Sequence, residues 1–172
     1  MSDKLKNAFQ SGCVRRWHTN PDLAHTNDRI DAHSGRVARI ILMLNPSASA
    51  ELLRAALIHD DGEIAVGDMK APLKDSRPDI AKALQEIEDA HLADLWGVIV
   101  LNETESRWLK MADRLDAYMW ALRHCPQTLE SDGWPDSYVW ILSESLSLGG
   151  LDVARQVSTA CGVMGFTQEA SK

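Results

Sequence analysis

The sequence predicts an all-α fold, and three observations carry that prediction. Apolar residues recur at three- and four-residue spacing along most of the chain. Glycine- and proline-containing breaks separate these periodic stretches. No segment alternates apolar and polar residues as a half-buried strand does, and no internal repeat competes.

The helices follow in order. From Asp31, the residues His33, Val37, Ile40, Ile41 and Leu44 line one face, which stops before Asn45-Pro46. Ser47 or Ser49 can cap a second helix through Leu52, Leu53, Ala56 and Leu57, ending near Asp61-Gly62. Asp75-Ser76-Arg77-Pro78 opens a third, with Pro78 in its first turn, and Ile80, Leu84, Ile87, His91 and Leu95 continue it. A long fourth helix spans Glu103 to His124 through Trp108, Leu109, Ala112, Leu115, Met119 and Leu122. Asp132-Gly133-Trp134-Pro135 interrupts the pattern before a helix from Asp136 to Leu148. Gly149-Gly150 then separates a last one through Leu151, Ala154 and Val157. Gly12–Asn27, Asp61–Arg77 and Cys125–Pro135 read as loops, and the first two hold most of the polar residues of interest.

At 172 residues and 45% hydrophobic content, the chain can bury one substantial core, and residues 1–172 read as a single domain. No apolar run reaches the ~18 residues of a membrane span, and Met-Ser-Asp-Lys-Leu-Lys-Asn has no signal-peptide character. A cytoplasmic protein without a membrane partner is expected. Cys13, Cys125 and Cys161 are widely spaced and form no Cys-x-x-Cys pair, so they read as free thiols. The formal net charge of −7, with no basic tail, argues against a nucleic-acid polymer as partner. A small anionic substrate remains compatible, with Arg15-Arg16, Lys70, Lys74 and Arg77 as local cations.

The chemistry centres on His59-Asp60, which closes the apolar run Leu52-Leu53-Arg54-Ala55-Ala56-Leu57-Ile58. Desolvating an imidazole and a carboxylate there is costly unless something binds them. His33 and Asp113 could join them on neighbouring helices, giving two nitrogen and two oxygen ligands. That donor set suits zinc, manganese, cobalt or iron better than calcium. Neighbours in sequence cannot face one way inside a straight helix, so His59 and Asp60 converge only at a helix end or bend; Asp61-Gly62 supplies one. A half-buried helix residue at His33, and a solvated face formed by Asp113, Arg114 and Asp116, are the bland alternatives.

Four segments carry a resemblance: Asp31-Ala32-His33-Ser34, Ala56-Leu57-Ile58-His59-Asp60-Asp61-Gly62-Glu63, Val66-Gly67-Asp68, and Lys110-Met111-Ala112-Asp113-Arg114-Leu115-Asp116-Ala117-Tyr118. With Arg16-Trp17, Pro72 and Lys74, this pattern resembles the HD-domain phosphohydrolases, in particular the 5'-deoxynucleotidase-like branch that acts on deoxynucleotides. The resemblance spans roughly residues 15 to 120. It implies a helical bundle with His33, His59, Asp60 and Asp113 around a divalent metal (zinc, cobalt or manganese). The stretch from Trp17 to His33 departs from the pattern, with His18-Thr19-Asn20-Pro21 where more apolar residues are expected.

The resemblance also implies roles. Glu63 corresponds to the catalytic carboxylate that orients or deprotonates water, acting beside the metal ligand Asp60. Asp68 is placed near the sugar 3'-hydroxyl or the metal shell. Arg16, Lys74 and Lys70 are placed on phosphate oxygens, Pro72 beside them, and Trp17 as a wall disfavouring a 2'-hydroxyl. His18 is a further substrate contact or a surface residue, and Trp17 could instead be ordinary packing.

Two activities of that branch fit. One is a dATP triphosphohydrolase of the compact phage type, releasing deoxyadenosine and triphosphate, with an additional Mg accompanying the triphosphate. The other is a 5'-deoxynucleotidase acting on deoxynucleoside monophosphates. Lys70, Lys74 and Arg77, with the short chain, favour the triphosphate. In a phage this would drain dATP in favour of a modified adenine. A non-catalytic metal-stabilised helical domain is a third possibility. Similar enzymes form homo-oligomers, dimers or hexamers.

Overall fold

The computed structural model describes residues 2–67, 76–131 and 133–162, and among these described residues there are six α-helices and two short 3-10 segments. These are α1 (Ser2–Ser11), α2 (Ile30–Leu44), α3 (Ala50–Ile58), α4 (Pro78–Trp96), α5 (Glu103–His124) and α6 (Trp134–Ala160). The 3-10 segments are Asp61–Ala65 and Pro126–Glu130. Among the described residues there is no strand. The one isolated antiparallel bridge, Arg15 to Arg29, ties the loop after α1 to the start of α2. The all-α prediction holds.

Local chemistry sets the helix ends. Ser49, rather than Ser47, caps α3: its hydroxyl accepts the Leu52 N–H at 3.0 Å, whereas Ser47 Oγ turns to Asn45 Oδ1. Asn102 and Glu105 form a reciprocal capping box on α5, and Ser49 Oγ also donates to Glu105 Oε1 at 2.5 Å. The starts of α3 and α5 are thereby tied together. Pro78 occupies the first turn of α4, where no N–H partner is lost. Gly150, at φ 71° and ψ −167°, kinks α6 where the Gly149-Gly150 break was expected.

The core lies among α2, α3, α5 and α6. Val37, Ile41, Leu52, Ala56, Met111, Ala112, Ile141 and Val157 meet there, each buried, with Trp108 against them. Trp134 starts α6 two residues before the expected Asp136. Helix α1 was not expected from the sequence. Its Leu5 and Phe9 face solvent, so its pattern carried no core signal.

Helix α4 packs on the Asp61–Ala65 segment instead of entering the core, and none of its residues is fully buried. The contact is close at Gly62, where an added Cβ would lie 2.5 Å from the Glu88 carbonyl oxygen. Ile87, expected on the packed face, is exposed; Glu88 takes the inward position instead. Among the described residues no helix is long and apolar enough to cross a membrane.

Candidate active site

Helix α2 buries the face bearing Val37 and Ile41, and the same face carries His33 one turn earlier, with no solvent exposure. Helix α3 ends at Ile58, so His59 lies at its C-cap (φ −57°, ψ −32°) and Asp60 at the entry to the 3-10 segment (φ −99°, ψ 2°). That change in backbone direction lets adjacent residues share one centre. On α5, buried Ala112 and Leu115 flank Asp113 and turn it toward the same point.

These side chains converge. His33 Nε2 lies 3.1 Å from Asp113 Oδ1 and 3.3 Å from Asp60 Oδ2. His59 Nε2 is 3.4 Å from Asp60 Oδ1 and 3.9 Å from Asp113 Oδ1. One ligand atom from each of the four lies within 4.8 Å of the others. The His33 imidazole is buried and that of His59 is 14% exposed, while the carboxylates of Asp60 and Asp113 keep 21% and 35% exposure, so the group opens toward solvent on its acidic side.

Both imidazoles are oriented from behind. His33 Nδ1 donates to Asp116 Oδ2 at 2.7 Å, and His59 Nδ1 donates to the Ala56 carbonyl at 3.0 Å. With Nδ1 holding the proton, each Nε2 lone pair points into the cluster. Neither Nε2 makes a hydrogen bond of acceptable geometry, although both are buried. Two orphaned imidazole nitrogens facing two carboxylates fit a divalent cation: the nitrogens gain a partner and the acidic charge is balanced. The expected zinc, cobalt or manganese all suit this donor set.

The electrostatics agree. Burial alone would lower the His33 pKa, but Asp113, Asp116 and Asp60 around the ring outweigh it and raise the value to about 10. His59 is raised in the same way: burial opposes, Asp60 and Asp113 prevail. Asp113 and Asp60 are held below the usual carboxylate range, their desolvation overcome by the two imidazoles. Positive charge is demanded at this point.

Beside the cluster lies the Arg16-Trp17 arm. Arg16 N–H donates to the Asp28 carbonyl at 3.1 Å and Ile30 N–H to the Val14 carbonyl at 3.1 Å, pinning the arm to the start of α2. Trp17 is the one non-glycine residue with positive φ (64°) among the described residues, a costly backbone state seen where neighbours over-determine it. Its Nε1 donates to Asp28 Oδ2 at 3.2 Å, and its ring packs near Trp134 and partly on Leu23, Ala121 and Cys125. These contacts are those of the expected packing role. Arg16 Nη1 lies 3.4 Å from Asp28 Oδ2 and 3.5 Å from Asp116 Oδ2.

Glu63 is buried on the 3-10 segment, three residues beyond Asp60. His18 is exposed, and its Nδ1 donates to the Arg15 carbonyl at 3.1 Å, which turns it back on its own loop. Asp68, Lys70, Pro72 and Lys74 lie outside the described residues. Arg77 forks onto Asp79 at the surface.

Asp28, Arg36 and Asp116 escaped the sequence reading. The bland alternative of a solvated face formed by Asp113, Arg114 and Asp116 fails at Asp116, which is buried and holds His33. A signal existed: Arg36 follows His33 by three residues, and Asp116 follows Asp113 by three, so each shares a helix face with a metal candidate. Asp28 precedes its helix and had no comparable mark.

Comparison with known proteins gives one finding. Residues 10–128 match the family described as 5'-deoxynucleotidase YfbR-like. No curated protein and no solved structure matched the chain.

Proposed function

The chain belongs to the YfbR-like 5'-deoxynucleotidase family and is a metal-dependent phosphohydrolase of deoxynucleotides; from that premise we propose that it hydrolyses deoxynucleoside 5'-monophosphates to deoxynucleoside and phosphate. The observation that carries the reading is the match over residues 10–128, which includes the His33, His59, Asp60 and Asp113 cluster. In this reading those four side chains hold the metal. A divalent cation there supplies Lewis-acid chemistry, polarising a phosphoryl oxygen and lowering the pKa of water.

The protein's own groups do the rest. Glu63 accepts the proton of the attacking water as its oxygen bonds to phosphorus. The P–O5' bond breaks in the same displacement, and the proton passes from Glu63 to the departing O5'. Arg16 balances charge on the phosphoryl oxygens with a forked contact. The Trp17 ring lies along the deoxyribose and disfavours a 2'-hydroxyl. Asp68 is assigned to the sugar 3'-hydroxyl or the metal shell, Lys74 and Lys70 to phosphate, Pro72 beside them, and His18 to a further substrate contact.

The dATP triphosphohydrolase reading draws on Lys70, Lys74 and Arg77 and on the short chain. Of these, the one described residue, Arg77, is engaged by Asp79. The monophosphate reading leads because the matched family is described as 5'-deoxynucleotidase-like. We also take residues 1–172 as one functional domain, because α6, beyond the matched span, packs on α5. A homo-oligomer, as dimer or hexamer, belongs to the same reading and is open to light scattering.

The deciding experiment incubates purified protein and Mn²⁺, Co²⁺ or Zn²⁺ with the deoxynucleoside monophosphates, dATP and their ribonucleotide counterparts. Phosphate released from deoxynucleoside monophosphates, with dATP intact, is the expected result. Triphosphate released from dATP alone would replace the reading with the triphosphohydrolase.

A further inference from the structure

We propose that Asp28 and Arg36 are positioning residues that join the Arg16-Trp17 arm to the metal ligand His33 through one partly buried chain of charge-assisted hydrogen bonds. The proposal rests on the substrate role given above to Arg16 and Trp17.

Asp28 is wholly buried, and both its oxygens are used. Oδ2 accepts from Trp17 Nε1 at 3.2 Å and from Arg16 Nη1 at 3.4 Å. Arg36 Nη2 lies 2.8 Å from Oδ1 and 3.0 Å from Oδ2. The same guanidinium reaches Asp116, with Nε donating to Oδ1 at 2.6 Å and Nη2 lying 3.0 Å from Oδ2. Asp116 Oδ2 then accepts the hydrogen bond donated by His33 Nδ1–H. The sequence of contacts is continuous from the arm to the imidazole.

The charges explain why this chain is rigid. Two buried carboxylates meet two guanidiniums, so each charge is paired and none can leave without stranding another. Arginine is required at position 36, because one planar fork must address two carboxylates at once. The guanidinium carbon also sits 4.4 Å above the Trp120 ring, which fixes the plane of the fork. Fold stability alone would not need both ends to finish on groups assigned to the reaction. Hydrolysis does need them held together, since a misplacement of about 1 Å between phosphate and metal can cost about 100-fold in rate.

The test uses Asp28→Asn, which removes one charge and keeps the shape. In the folded variant, KM for the deoxynucleoside monophosphate cleaved fastest by the wild-type protein rises roughly tenfold, with a smaller change in kcat. Mn²⁺ affinity, read by competition with a coloured chelator, falls several-fold. Asp116→Asn lowers Mn²⁺ affinity roughly 10- to 100-fold by itself. Adding Asp28→Asn to it produces no further loss, because the route through Asp116 is already cut.

Arg36→Lys is the second variant, retaining charge without the fork, and it carries the same two readouts should Asp28→Asn fail to fold. Unchanged KM and unchanged Mn²⁺ affinity in either folded variant, with only a lower thermal midpoint, would overturn the proposal. If Arg16→Ala leaves KM unaltered, the substrate role of that arm fails separately. Metal affinity in Asp28→Asn then decides the link: a loss supports it and no loss overturns it.

Discussion

Asp116 and Asp113 grip opposite nitrogens of His33: Asp116 Oδ2 accepts a hydrogen bond from Nδ1–H at 2.7 Å, and Asp113 Oδ1 faces Nε2 at 3.1 Å. The two aspartates stand three residues apart on α5, so one helix face both orients the imidazole and supplies its neighbour in the cluster. The partner that orients His33 and a member of the cluster come from one short stretch of sequence.

That arrangement makes metal and proton compete. The metal-free His33 pKa is raised from 6.5 to about 10, burial opposing and the three carboxylates prevailing. A raised histidine stabilises the metal-free fold fully below its unfolded pKa of about 6.5. That contribution is lost as pH climbs through about 10. Metal binding must expel the same proton, so Mn²⁺ affinity is expected to increase over this window. Thermal midpoints of chelator-treated and Mn²⁺-loaded protein across it check the sign. The metal-free midpoint falls and the gap between them widens; a constant gap contradicts the assignment.

Glu63→Gln separates catalyst from scaffold. The substitution keeps size and removes the base, so Mn²⁺ content and thermal midpoint stay near wild type while kcat falls by about 100-fold or more. Full activity in the metal-loaded variant would support a structural metal with Glu63 as a bystander, and the assignment would fall.

Gly62→Ala probes the support beneath Glu63. The new methyl group meets the Glu88 carbonyl oxygen at 2.5 Å, a backbone atom that cannot rotate away. Helix α4 must move outward, and a loss of about 1–3 kcal/mol is expected from urea unfolding. Activity falls further than stability does, because Glu63 is the next residue. Wild-type stability would show that α4 yields freely there.

Legibility in the sequence follows the source of each element's order. Helices α2, α3 and α5 bury periodic apolar faces against one another, so Val37, Leu52 and Met111 announced them. Helix α1 buries no such face, which is why Leu5 and Phe9 gave no signal. His33, His59, Asp60 and Asp113 were legible as a set because each lies in a short segment that carries the family resemblance, the polar end of an apolar helix marking only His59-Asp60 by itself. Asp28 and Arg36 were not, since their worth lies in contacts with residues 12 and 80 positions away. A charge that is satisfied across the fold looks, in one dimension, like any surface charge.

The thiols offer a direct check on burial. Burial pushes the Cys161 pKa up to about 12, so it remains a thiol at neutral pH, while Cys13 is exposed. Cys13 is expected to be alkylated by iodoacetamide in the native protein well before Cys161, as mass spectrometry of the digest would report. Equal labelling would mean that α6 is not seated on the core as described.

Trp17 should set the sugar preference. Its positive-φ backbone and its hydrogen bond to Asp28 hold the ring in one place, which is the condition for excluding an extra hydroxyl by shape. A rigid wall discriminates through the cost of displacing it, and a site that merely rejects one added hydroxyl achieves about 100-fold at best. Trp17→Ala removes the wall but leaves the His33, His59, Asp60 and Asp113 cluster in place. The ratio of kcat/KM for a deoxynucleoside monophosphate over its ribonucleotide is therefore expected to fall by about tenfold or more. The larger part of that change comes from better ribonucleotide turnover. If both substrates lose activity in equal proportion, Trp17 contributes to packing alone, through Trp134 and Leu23, and sugar selection lies elsewhere in the pocket.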